Sequence, residues 1–209
     1  KENIIKFNSL LNNSTNLDTL GFNICVGNIV WNECKKILTD DDTKTLLIYS
    51  SDIKDNKLQL QKYSNNDKKN YINKKKTNDL LLVINRGYGV GTYKFNYCLL
   101  DIEKNYLIEN HLICIKYTKS LSNIELKKLY NKIIESLQNI KTTEFIQLYF
   151  GNNAINTTEL AHILPIYDIW NAGKAIPLPF FHLNKTLINL PVFVVIIYLN
   201  FFGIFIYDI

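Results

Sequence analysis

The hydrophobic period of this chain changes once, near residue 117, and that change limits the folds open to it. Before it, apolar residues come in short β-branched and aromatic runs bounded by Gly, Asn and Asp: TLLIYSSDI at 45–53, KLQLQKY at 57–63, DLLLVIN at 79–85, and two or three further runs between 94 and 117. Such runs read as half-buried strands joined by turns. After it, Ile124, Leu126, Leu129, Ile133, Ile134, Leu137, Ile140, Phe145, Leu148 and Tyr149 recur at helical spacing. The chain is therefore expected to be α+β, with a mainly antiparallel sheet in residues 25–117 followed by a helical segment at 122–164.

Local signals place the boundaries. Ser122 with Glu125 three residues on forms a capping box at the start of the helical stretch. Gly151 suits a helix end, and Asn156 or Thr157 can cap a second short helix that runs through Leu164 and is limited by Pro165. Upstream, Ile24 and Val26 precede a turn at Gly27, then Val30 and Trp31 lead into a short helix through Leu38, closed by Asp40, Asp41 and Asp42. Residues 1–20 mix Lys1, Glu2, Lys6 and Asp18 with Asn and Ser, which predicts a linker and no signal peptide. Residues 67–79 are almost wholly polar and are expected to be a mobile loop that buries no face.

The apolar tail, 168–209, contains eighteen uncharged residues from Leu190 to Tyr207. Three readings stand: a membrane segment, a buried strand pair broken near Asn200 and Gly203, and out-of-frame read-through of AT-rich sequence. The absence of Met and the Lys at position 1 give the expectation of a fragment.

A net charge of +5 suits a polyanionic partner and equally an ordinary lysine-rich surface. Arg86 is the only arginine. Cys25, Cys34, Cys98 and Cys114 lack metal-ligand spacing, and three of them lie in apolar runs, which predicts buried free thiols in an intracellular, reducing compartment and no metal site. His111, His162 and His182 sit beside no nucleophile, so no catalytic residue is expected within this chain. His111, placed inside a strand by the alternation of IENHLICI, and Trp31 read as structural residues, and Asp101 and Glu103 as surface charges. The glycines of GYGVG, 87–91, lack the spacing of a phosphate loop and read as a hairpin turn. The alternative is a DNA-facing loop, with Arg86, Tyr88, Tyr93 and Lys94 supplying a guanidinium, two aromatic faces and an ammonium.

Three segments, in order, resemble the C-terminal target-recognition region of the adenine-specific (N6) DNA methyltransferases of type II and type I restriction–modification systems. They are GNIVWNECKKILTDDDTKTLLIYSSDI, with its Gly-x-x-Val-Trp-Asn core; LLVINRGYGVGTYKFNYCLLDIEKNYLIENHLICIKY, with Arg86 after a strand and Glu109-Asn110-His111 opening another; and FGNNAINTTELAHILPI. The resemblance spans about 21–166 and implies a target-recognition domain at 21–167 that docks on double-stranded DNA. It implies no cofactor in this chain, since S-adenosylmethionine and the methyl transfer belong to an attached catalytic domain, which this one would help to flip the target adenine from the stack. The Asn/Asp-Pro-Pro-Tyr/Phe loop and the glycine motif of that domain are absent from this sequence.

Such a domain needs lysines for phosphates and a few rigid polar groups for base edges. Lys68, Lys69, Lys74, Lys75, Lys76, Lys94 and Lys116 are the candidates for the first role, Arg86 and Asn28 for the second. Asn152 and Asn153 are either base contacts or a structural turn. The same domain would also serve a restriction–methylation fusion. A rival of another class is a non-enzymatic interaction protein held in a membrane by residues 190–207.

Overall fold

The computed structural model describes residues 2–75, 78–87, 95–150 and 154–169, the side chains of 2–4 excepted. Lys76, Tyr88, Tyr93, Lys94, Asn152, Asn153 and the apolar stretch 190–207 lie outside the described residues. The chain divides into two compact units, 1–171 and 172–209, and the described residues all belong to the first.

In chain order the elements are α1 (Glu2–Leu11), β1 (Ser14–Thr15), β2 (Phe22–Val26), β3 (Leu38–Thr39), β4 (Thr45–Ile48), β5 (Ile53–Lys54), β6 (Lys57–Leu58) and β7 (Tyr71–Ile72). They continue with β8 (Leu81–Asn85), β9 (Tyr97–Leu100), β10 (Tyr106–Ile108), β11 (Leu112–Tyr117), α2 (Asn123–Leu137), α3 (Ile140–Tyr149) and β12 (Ile166–Tyr167). The fold is α+β, as the change of period predicts.

Two four-stranded sheets dominate. One is antiparallel, in the order β2-β11-β8-β9; the other runs β10-β4-β7-β3, and its β10–β4 pair is parallel. Alternation along each strand tells which face meets which. Leu46 and Ile48, Leu81 and Val83, Cys98 and Leu100, Tyr106 and Ile108, and Leu112 and Cys114 form one buried cluster, so these two-residue-spaced sets from both sheets face each other. The opposite set on the antiparallel sheet, Leu82, Ile84, Ile113 and Ile115, is fully buried as well. Helix α2 serves that sheet: Tyr130 donates its hydroxyl to Ile115 O at 2.9 Å, and its ring packs 5.6 Å from that of Phe22.

Helix α2 forms where the capping box places it. The Ser122 hydroxyl accepts from Glu125 N, and the Glu125 carboxylate accepts from Ser122 N at 3.1 Å. Leu129, Tyr130, Ile133 and Leu137 then fall on one buried face, each contributing about 1.5–3 kcal/mol of apolar burial. Asn156 caps the following short π-helix, Glu159–Ile163, by the same reciprocal device with Glu159.

Five expectations need correction. Residues 1–20 are no linker: Phe7 of α1 stacks 5.5 Å from Phe145 of α3, Leu10 and Leu17 are buried, and β1 pairs with β12. Apolar spacing of three inside α1 is enough once α3 offers it an aromatic face. The polar stretch 67–79 holds β7, whose Ile72 is fully buried between β4 and β3; one apolar side chain anchors the stretch despite its lysines. The predicted helix before Leu38 is only a 3₁₀ turn, Lys35–Ile37, because β3 begins at Leu38, and the predicted strand 57–63 pairs only at Lys57–Leu58. Cys25 is exposed because β2 is a sheet edge, whereas Cys98 and Cys114 are buried.

The two sheets are tied by a backbone approach that depends on glycine. Gly27 N donates to Leu112 O, Ile29 N to Ile108 O, and Asn110 N to Ile29 O. A Cβ at Gly27 would stand 2.2 Å from Glu109 O and 2.5 Å from Ile108 O, both backbone atoms that cannot step aside. Gly27→Ala is expected to cost about 3 kcal/mol, read as a fall in the denaturant midpoint; an unchanged midpoint would contradict the contact.

Burial holds the hydroxyls of Tyr130 and Tyr167 up to about 12 and that of Tyr106 higher still, against an ordinary 10.0. Folding thus favours the protonated phenols. That stabilisation is complete below the unfolded value near 10.0 and is lost as pH rises through the folded values. Tyrosinate absorbance and loss of circular dichroism should therefore rise together above about pH 10; smooth titration of these tyrosines in a folded chain would refute it.

Candidate nucleic-acid interface

Strand directions sort the polar residues into two ends of the molecule. Strands β4 and β10 are parallel, so Tyr49 and Glu109 follow them at one end, while β7 runs the other way and Lys68 and Lys69 precede it there. Strand β8 finishes at the same end, with the Asn85 side chain donating to Ser50 O at 3.3 Å. The last register of β8 with β11 pairs Asn85 with Leu112, and Arg86 and His111 are the next residues outward on each. Gly87 bridges Ala154, and Ile155 N donates to Arg86 O at 3.1 Å. Trp31, Ser50, Arg86, Glu109–His111 and Ala154–Ile155, drawn from all three resembling segments, thus meet at one end, a juxtaposition their sequence order does not show.

At the centre of that end is a caged cation. The Lys68 ammonium stands 4.1 Å from the ring centroids of both Tyr49 and Tyr63 and 5.8 Å from that of Trp31. Burial draws Lys68 below its ordinary value, while Glu109 and Asp52 act in the opposite direction. Asp52 is wholly buried and well served: its carboxylate accepts from Tyr49 N, Gln61 N and the Tyr63 hydroxyl at 2.8–2.9 Å. Buried carboxylates of this kind are tolerated because hydrogen bonds and a nearby cation replace water. The Tyr49 hydroxyl, raised by burial, by Glu109 and by Asp52, donates to Lys69 O at 2.7 Å and so ties β7's approach to the cage.

Glu109, only 2% exposed, takes two contacts from His111: the backbone N–H at 3.0 Å and the ring Nδ1 at 2.5 Å. The histidine side chain is 66% exposed. It belongs to the turn between β10 and β11, closed by Leu112 N donating to Glu109 O, which corrects its expected place inside a strand. Asn85 Oδ1 and Asn110 Oδ1, next to Arg86 and His111, are buried with no partner among the described residues.

Of the lysines expected to meet phosphates, Lys68 and Lys69 lie at this end, and Lys74, Lys75 and Lys116 at the opposite one. An open groove of about 940 Å³ is lined by Lys44, Lys74, Lys75 and Lys104 with Glu103, at the starts of β4 and β10 and the finish of β7. Lys104 sits 4.6 Å from the Tyr71 ring centroid and donates to Asp42 O. Lys116 is at this end of β11 and pairs with Asp79 at 3.0 Å. Asn28, exposed, follows the end of β2 that pairs with Ile113, which puts it at the Arg86 end, and it lines a smaller cleft of about 170 Å³ that reaches Lys116. Of the predicted set, then, Arg86, Asn28, Lys68 and Lys69 share one end and Lys74, Lys75 and Lys116 the other. Sequence reading passed over Lys68, Asp52 and Tyr63 as cage residues; the only signal was an aromatic and a carboxylate, Tyr49 and Asp52, three positions apart around two serines.

Among the described residues no group of three or more His, Cys, Asp and Glu stands together as a metal site.

Lys68→Ala, which leaves two buried carboxylates without their cation, should destabilise the chain by about 2 kcal/mol in chemical denaturation. Lys35→Ala should stay within about 0.5 kcal/mol, because Lys35 pairs with Asp67 on the open surface and lies 5.7 Å from the Trp31 ring centroid. Equal losses would remove the special role of the cage. Comparison with known protein families, curated proteins and solved structures matches none of them to this chain.

Proposed function

We propose that this chain recognises a DNA target for a site-specific adenine-N6 methyltransferase of the restriction–modification type. In this reading the methyl transfer and the S-adenosylmethionine site belong to a catalytic domain that is linked to it or associates with it inside the cell. The supporting observation is that residues of the three segments resembling the target-recognition region converge on one end of the fold. They bring Arg86, Asn28 and His111 to an exposed corner above a rigid cage.

The physical division of labour suits duplex DNA. Arginine presents a planar fork that pairs with two acceptors on a guanine edge, and asparagine does the same for adenine, so Arg86 and Asn28 are base-reading candidates. Arg86 directly follows β8 and Asn28 follows β2 by two residues, and attachment to the sheet limits the entropy lost on contact. At the far end Lys74, Lys75, Lys44 and Lys104 form a charged track for phosphates, an attraction that carries affinity without sequence information. Lys116, neutralised by Asp79, contributes less.

Duplex-DNA binding by the full chain, measured against salt, tests the proposal. The expected outcome is micromolar or tighter binding whose log affinity falls linearly with log salt, with Arg86→Ala losing about tenfold on preferred sequences only. A folded chain with no affinity at low salt would overturn the proposal.

A further inference from the structure

We infer that Cys25 and Cys114 form a thiol pair that a peroxide oxidises to a disulfide, which makes edge strand β2 the site of a reversible covalent modification. This chemistry is independent of DNA recognition.

The register brings these two sulfurs together and keeps the other cysteines apart. Strand β2 is the outer strand of its sheet, and Cys25 lies directly opposite Cys114 of β11. Gly27 N donates to Leu112 O and Thr118 N to Gly21 O. Counting by twos along the ladder from those bonds puts Cys25 and Cys114 in a hydrogen-bonded pair, with Cα atoms about 5.5 Å apart. Disulfides span about 4.4–6.8 Å between Cα atoms. Directly opposed side chains of an antiparallel pair leave the sheet on the same face. Here that face looks onto the second sheet, and both cysteines line the cleft of about 170 Å³ there, together with Tyr106 and Ile108. Val83 of β8 stands between Cys114 and Cys98. Two strand spacings, about 9.6 Å, put that pair beyond the reach of a disulfide. Cys34 precedes β3 and packs with Ile29, Leu47 and Tyr49.

Exposure divides the roles. Cys25 is exposed and Cys114 only 7% so, and a solvent-borne oxidant reaches Cys25 first. The Cys25 thiolate attacks one peroxide oxygen: an S–O bond forms, the O–O bond breaks, and the departing hydroxide takes up a proton to become water. The Cys114 sulfur then attacks the sulfur of the Cys25 sulfenic acid. An S–S bond forms, the S–O bond breaks, and the hydroxide leaves as water with the Cys114 thiol proton. Two thiols and one peroxide thus give one disulfide and two waters, with two electrons passing from sulfur to oxygen.

Closure asks for a small shift. Opposed Cβ atoms in a ladder stand about 4.5–5.5 Å apart, and a disulfide draws them to about 3.5–4.5 Å. Strand β2 can make that approach because, among the described strands, it pairs with β11 alone. The bond then fixes the strand that leads into Gly27, and its strain lets a dithiol reopen it. In a reducing compartment such a disulfide is transient, the form that redox-sensing pairs take.

Reduced full-length chain is treated with hydrogen peroxide, alkylated, and mapped by mass spectrometry without reduction. The expected product is a folded chain with a Cys25–Cys114 disulfide and with Cys34 and Cys98 still thiols; dithiothreitol should restore all four thiols. Cys114→Ser should stop at a Cys25 sulfenic acid that dimedone traps. Cys25→Ser, an exposed change that spares the core, should form no disulfide, and it keeps the test decisive if Cys114→Ser does not fold. Any other pairing, a disulfide joining two chains through Cys25, a Cys25 sulfinic acid beside an intact Cys114 thiol, or four intact thiols in the wild type each overturns the inference and leaves the DNA reading untouched.

Discussion

The fold depends on a few ångströms of backbone between residues 27–29 and 108–110. There the edge of the antiparallel sheet reaches over to the end of the parallel β10–β4 pair, and two N–H···O bonds, Ile29 N to Ile108 O and Asn110 N to Ile29 O, hold the two together. Nothing bulkier than hydrogen fits on the Gly27 α-carbon at that crossing. The crossing governs functional placement. It sets Ile29 and Trp31 over the second sheet, where Ile29, Leu47, Tyr49, Ile72 and Leu107 form a small core with Trp31 as its lid. It also holds the turn that carries Glu109 and His111. Loosening it would disturb the cage and the exposed corner at once, while leaving the large inter-sheet core to the alternating strand residues.

Where local chemistry decided the outcome, the sequence was legible. The Ser122–Glu125 box and the Asn156–Glu159 pair act over three residues, and both helices begin where those residues stand. The apolar runs that hold β4, β8 and β11 were likewise legible as strands. Partners distant in sequence were not legible. The parallel match of Leu46 with Tyr106 joins residues sixty positions apart, and no local pattern announces it. Helix α1 gains its place from Phe145 and Tyr149, far along the chain, so a stretch rich in Asn and Ser read as a linker.

The corner itself was half visible. Arg86 and Asn28 stood out by residue type and by the company they keep in the sequence. Lys68 did not, because in a run of lysines one ammonium enclosed by aromatic rings is written the same way as its solvated neighbours. His111 was misread for a related reason: the alternation of IENHLICI continues through a turn, and only the Leu112 to Glu109 hydrogen bond shows that the strand starts after it.

The separation of the two ends has a geometric meaning of its own. Strand β11 spans six residues between the corner near His111 and the end that carries Lys116. At about 3.3 Å per residue that is about 20 Å. Along a duplex rising about 3.4 Å per base pair, the same length is about six base pairs. On the proposed DNA reading, a duplex laid parallel to this strand would meet the Arg86 corner and the lysine groove roughly half a helical turn apart, and the length of the strand would set the spacing between what is read and what is merely held.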